Sequence, residues 1–150
     1  MDRQVAEQIS RLIETVDSSA ASGDMSGAAV SAVEIYRLLV GQFEQRLATT
    51  RAVAMLDYSG FRLLGLAGAD HVNWIAIAAT VQEAGENWAG TRRHLKDKVL
   101  SDLGNTIQTG LDAAAMARNL NWLRSLAQIQ LDTVDLLERV VKNHAQGACI

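Results

Sequence analysis

A mostly apolar ladder returns every three or four positions through Val33, Tyr36, Val40, Phe43, Leu47, Thr50, Ala54, Asp57, Phe61 and Leu64. That spacing lines one face of a helix and fits nothing else. The 150 residues contain no proline, so no position lacks the amide donor that a continuing helix needs. The weak rungs at Thr50, Ala54 and Asp57 are flanked by Val53, Leu56 and Tyr58, so the buried face rotates as a straight helix drifts from the strict heptad. One helix over 24–66 would run about 65 Å at 1.5 Å per residue, longer than a compact ball of this size. The spacing therefore predicts a long element with a kink near Gly60, where glycine costs about 1 kcal/mol, too little to break a helix alone.

The rest of the chain repeats the pattern in shorter pieces. Asp2 caps a helix whose stripe is Val5, Ile9, Leu12, Ile13 and Val16, with Arg3, Gln4, Glu7, Arg11 and Glu14 opposite. It is expected to stop near Asp17, before the small-residue run Ser18–Gly27, which reads as a linker with Asp24 or Ser26 capping the next helix. Gly65, Gly68 and Asp70 mark a second boundary, with Asp70 as the expected N-cap. A stripe then runs through Trp74, Ile77, Val81, Ala84, Trp88, Thr91 and Leu95 and on through Val99, Leu103, Ile107, Leu111 and Ala114. Gly85 and Gly90 flank Trp88 and are expected to seat its ring against a neighbouring helix. A last helix begins near Asn119 or Asn121 and carries Leu123, Leu126, Ala127, Val134, Leu137 and Val141. No alternating run bounded by turn pairs competes as a strand. The expected fold is all-α: one domain over 1–150, an elongated antiparallel bundle of three to four helices. Its stripes are broad enough to leave apolar surface for a second subunit or a hydrophobic partner.

Several function classes are excluded or unsupported. A net charge of -3 does not suit the coating of duplex nucleic acid, which draws its affinity from a basic excess. No uncharged run approaches the roughly 20 residues of a membrane span, and MDRQVAEQIS has no apolar signal region, so the expectation is a cytoplasmic chain. Cys149, the single cysteine, forms no internal disulfide and has no basic neighbour to activate it. Paired Cys/His spacings, Glu-x-x-His pairs, glycine-rich phosphate loops and the nucleophile elbow are all missing from the sequence, so neither metal nor cofactor nor catalysis is expected.

One histidine stands out. His94, in RRHLKDKVLSDLG, is placed by the stripe on a helix, and Leu103 and Gly104 follow at offsets resembling histidine phosphotransfer domains. Those domains carry a lysine three residues on, where this chain has Asp97, with Lys98 next. Lys96 lies roughly 200° round a helix from the histidine. Arg92, Arg93, Lys96 and Lys98 read as a solvated face or an anion patch, and His94 as an alternative phosphoacceptor.

The segment AAAMARNLNWLRSLAQIQLDTVDLLERVVKN resembles the phasin family, bacterial proteins that coat polyhydroxyalkanoate granules. The match lies in an Ala-rich stretch, a break at Asn119–Asn121, then Leu126, Ile129 and Gln130, followed by a further amphipathic helix. The break lacks the proline of many members. The resemblance implies a non-enzymatic, oligomer-forming protein that binds a polyester surface through apolar helix faces, here Trp122, Leu126, Ile129, Val134 and Leu137. The competing expectation is an oligomeric helical-bundle adaptor or regulator whose surplus apolar face meets a protein partner.

Overall fold

The computed structural model describes residues 2–42 and 48–147, with side chains described up to residue 140 except at 48 and 49. Phe43, Leu47, the Val141 side chain and Cys149 lie outside those residues.

Helix α1 (Arg3–Ser22) starts at Asp2, whose carboxylate accepts the Gln4 amide at 3.1 Å. It passes Asp17 and absorbs the first half of the expected linker, while α2 takes its last three residues. Ala20 and Ala21 are strong helix formers, and the Ser18 and Ser22 hydroxyls turn back onto the carbonyls of Thr15 and Ser19. Gly23, at φ 81°, ends it in the left-handed conformation, with the Gly23 and Asp24 amides closing on Ala20 and Ser19. Asp24 then caps α2 (Met25–Val40) by accepting the Gly27 amide at 2.8 Å.

The helix expected over 24–66 is two helices. α2 ends at Val40, with Gly41 as its cap, and α3 (Ala48–Ala67) runs unbroken through Gly60. Gly60 is a contact point and not a kink, because a Cβ there would stand 2.7 Å from the Leu131 side chain. α4 (Trp74–Arg92) is capped by Asn73, which accepts the Ala76 amide at 3.0 Å, in place of Asp70. α5 (Lys98–Met116) is capped by Asp97, whose carboxylate takes the Val99 and Leu100 amides. It closes with Arg118 at φ 51° and the Asn119 amide on the Ala114 carbonyl at 2.9 Å. Asn119 at once caps α6 (Leu120–Gly147), accepting the Trp122 amide at 3.0 Å.

Among the described residues six helices thus stand where three to four were expected, and no strand occurs. The difference has a simple plan. α3, α4, α5 and α6 pack in order, and α6 returns onto α3 to close a four-helix ring. α2 packs on α3 from outside, and α1 packs on α2 alone. Both core clusters come wholly from the ring: Leu63, Ala67, Ile77, Val81, Ile107, Leu111, Ala114, Leu123 and Ala127 form one, and Val53, Leu56, Trp88, Val134 and Leu137 the other. α1 buries no residue. The chain exposes 9028 Å², about a fifth more than the roughly 7,500 Å² expected of a compact 16.2 kDa monomer.

Trp88 is seated by a different glycine from the two beside it. A Cβ on Gly104 of α5 would overlap the indole, with Cε2 at 2.7 Å, whereas Gly85 faces Gln108 and Gly90 faces Ala52. The indole Nε1 donates to Asn105 Oδ1 at 2.9 Å, which fixes the ring along the helix as well as across it.

A charged group joins α2 to the ring. Glu34 accepts from the Tyr58 hydroxyl at 2.8 Å, pairs with Arg62 at 2.7 Å and with Arg37 at 2.7 Å. Arg62 also donates to the Tyr58 oxygen, and both guanidiniums stand about 6 Å from the tyrosine ring centre, at 5.7 and 6.0 Å. Burial, and then the bond to Glu34, push the Tyr58 phenol up to about 12, so it remains a donor. Below this group Ser26 donates to the Gly65 carbonyl at 2.7 Å, and Val30 fills the space left by the missing Gly65 side chain.

Candidate functional site

The residues singled out on the last helix divide between surface and core. Trp122 and Ile129 are each 44% exposed, and Leu126 is half-buried against Gly110 of α5. Val134 and Leu137 are buried in the cluster with Val53, Leu56 and Trp88, so they hold the bundle together and present nothing to a partner. Leu136, which the sequence pattern does not single out, is also 44% exposed. Trp122, Ile129 and Leu136 therefore recur every seven residues, within about 20° per step of one line along α6. Their spacing was the available signal.

The row continues sideways onto α5. Gly110 lies against Leu126, and because the two helices are antiparallel this register brings Val99, 76% exposed, level with Leu136. It brings Thr106 level with Ile129 and Ala113 level with Trp122. Between these positions on α6 lie Ser125, Leu126 and Val140, and on α5 Leu103 and Gly110. None is charged. Charge begins only at the rim, with Asp132 and Arg139 on α6 and the Lys98–Asp102 pair, 2.6 Å apart, on α5. The outcome is a shallow, uncharged, two-helix face with Trp122 at one end and Leu136 and Val99 at the other. Exposed apolar residues scattered singly carry little meaning, whereas a contiguous charge-free patch is a candidate interaction surface.

His94 is elsewhere. It is exposed in the turn between α4 and α5, its amide on the Thr91 carbonyl at 3.1 Å, so neither His94 nor Lys96 is on a helix. Arg92, beside it, donates to Asn105 Oδ1 at 3.1 Å and so belongs to the seat of Trp88. Trp74 is half-buried against the first core cluster and Trp88 is buried, which leaves Trp122 as the exposed indole.

The interior offers little room for chemistry. A cavity of about 20 Å³ among Leu56, Trp88, Gln108, Gln130 and Thr133 holds at most one water-sized sphere. Gln130 spans the ring there, donating to the Leu56 carbonyl at 2.6 Å and to Ser59 at 3.1 Å. Among the described residues no group of three or more His, Cys, Asp or Glu side chains is placed to hold a metal, and no helix is long and apolar enough to cross a membrane.

Among the described carboxylates the large displacement is at Asp57. Asp57 of α3 is raised from 3.8 to about 6, first by burial and then by Glu138 and Asp135 of α6. Tyr36 of α2 stands in the same field, its own phenol raised by burial and by Asp57 and Glu138. Between about pH 4 and 6 the folded protein holds a proton on Asp57 that the unfolded chain has lost, so stability falls as pH rises through that window. Asp57→Asn is expected to stabilise the protein at pH 7 by about 1 kcal/mol, the full linkage energy being reduced because the group is half in water. Urea titrations at pH 4 and pH 7 check the sign: the gain should vanish at pH 4.

Comparison with protein-family models, with curated proteins and with solved structures finds no match to this chain.

Proposed function

We propose that this is a non-catalytic helical protein that binds a hydrophobic surface through the α5–α6 face, in the manner of the phasin granule coats that its C-terminal segment resembles. The observation that supports this is the uncharged face itself, with Trp122, Ile129 and Leu136 held half-exposed on a rigid bundle. An indole at the end of such a face combines a large apolar body with one donor, which suits the boundary between an oily phase and water.

The test is co-sedimentation of the full chain with washed polyhydroxybutyrate granules, beside neutral-lipid vesicles. Saturable binding to the polyester is expected. Trp122→Asp and Ile129→Asp should each weaken it at least about tenfold while leaving helicity and melting unchanged, since each removes an apolar contact and puts a charge on the binding face. Val134→Asp is not a usable control, because it would charge the core. Wild-type adsorption by both surface variants would overturn the reading.

The adaptor reading keeps one observation in its favour, the seven-residue spacing of the exposed row, which suits a partner helix as well as a flat surface. Phosphotransfer through His94 has only the exposure of the imidazole behind it. His94→Gln is expected to leave adsorption, melting and oligomeric state as in the parent. A lost cellular function with all three intact would reinstate the histidine.

A further inference from the structure

The exposed row on α6 is symmetric about its own middle. Trp122 and Leu136 lie seven residues to either side of Ile129, about 10 Å each way at 1.5 Å per residue. A two-fold axis in the plane of the face, perpendicular to α6 and passing over Ile129, lays a second α6 antiparallel on the first. Ile129 then meets the second copy's Ile129, and Trp122 meets the second copy's Leu136 twice. The same operation lays α5 on the second copy's α5, with Thr106 close to the axis. Interfaces of this kind need one patch that complements itself, which a row with unrelated residues at unequal spacings would not provide.

Charge and area agree with that placement. The rim carboxylate Asp132 falls beside the second copy's Ser125, a hydroxyl able to donate to it, and no acid is brought against an acid. The seam between the axis and the rim carries no charge to desolvate. The stretch that the axis lays on its own copy runs from Trp122 to Leu136, about 21 Å long, and two helices about 10 Å apart make it about 20 Å wide. Two copies would cover about 800 Å², the size of a weak, transient contact.

We propose that in solution a second copy of this chain covers the α5–α6 face, antiparallel about Ile129. The proposal rests on the preceding reading only in using the same face: the dimer is its resting state, and an oily surface competes with the second copy for it. A contact of this size is a weak dimer, with a dissociation constant on the order of micromolar.

Sedimentation equilibrium of the full chain gives the first readout, with a mass twice that of the 16.2 kDa protomer expected at about 100 μM. Ile129→Asp is expected to be monomeric and to melt as the parent does when both are dilute enough for the parent to be monomeric. The register is read by cross-linking in a Cys149→Ser background with a short bis-maleimide. Ile129→Cys should cross-link to itself. Trp122→Cys and Leu136→Cys should cross-link only when the two variants are mixed. A monomeric parent, a dimer indifferent to Ile129→Asp, or Trp122→Cys cross-linking to itself would each overturn the proposal. The two readings fail separately. A parent that adsorbs to granules but is monomeric removes the dimer alone, and a dimer that never adsorbs removes the surface-binding reading alone.

Discussion

Gly104→Ala lowers the melting temperature by about 10 °C, equivalent to about 3 kcal/mol for a chain of this length. Alanine is the better helix former by about 1 kcal/mol, so propensity alone predicts the opposite sign. Sterics decide, because the added methyl lands within the Trp88 ring. The indole has nowhere to retreat: its Nε1 is bonded to Asn105, and Val53, Leu56, Val134 and Leu137 close the cluster around it. Gly90→Ala is the matched control. Its methyl would meet only the Ala52 methyl at 3.9 Å, an ordinary contact, and the expected result is a gain of about 0.5–1 kcal/mol. Calorimetry of the two variants separates packing from propensity, and equal shifts of one sign would contradict the assigned seat.

Glu34→Gln is expected to cost about 2–3 kcal/mol in urea unfolding, far more than a surface ion pair. The change keeps shape and an acceptor for Tyr58 but leaves Arg62 and Arg37 without the carboxylate that bonds them both, with only the half-buried Glu83 left in their field. Arg37 can swing into water. Arg62 cannot do so freely, since its Nε is already buried without a partner among the described residues, and burial elsewhere in the group keeps the neighbouring Glu83 carboxyl above its ordinary range even beside both arginines. Replacing the group together, as Glu34→Leu with Tyr58→Phe and Arg62→Met, should recover most of the loss, because it removes the buried charges with their partners. A loss below about 0.5 kcal/mol for Glu34→Gln would mean that the group behaves as an exposed pair.

The parts of this fold that could be read from sequence are those decided within one turn of chain. Asp2 caps the helix it was expected to cap, and of the two candidates Asp24 and Ser26 it is Asp24 that caps the next, because an N-cap needs only a short acceptor and a free amide two or three residues on. The break after Val40 was missed for the complementary reason: the apolar ladder keeps its phase from Val40 to Ala54, and periodicity does not register a change of direction that preserves it. The same limit applied at His94, where the stripe from Thr91 through Leu95 to Val99 crosses a turn without a visible gap. On α6 the stripe was correct and its sides were not. Leu136 and Leu137 are adjacent and chemically identical, and only the placement of α3 and α5 makes one exposed and the other buried. Gly60 and Gly104 show this most plainly, since each is glycine because of a side chain on another helix.

The way the ring closes also bears on how the chain folds. Every helix pairs with its neighbour in sequence except at one seam, where α6 meets α3. There Gln130 reaches the Leu56 carbonyl 74 residues away, and Arg124 reaches that of Ala67 across 57. Neighbouring hairpins close short loops and form early, whereas the α3–α6 seam must gather most of the chain before its contacts repay the lost freedom. The rate-limiting barrier is thus expected at that seam, and substitutions at Gly60 or Leu131 should slow refolding where those in α1 change only the speed of unravelling.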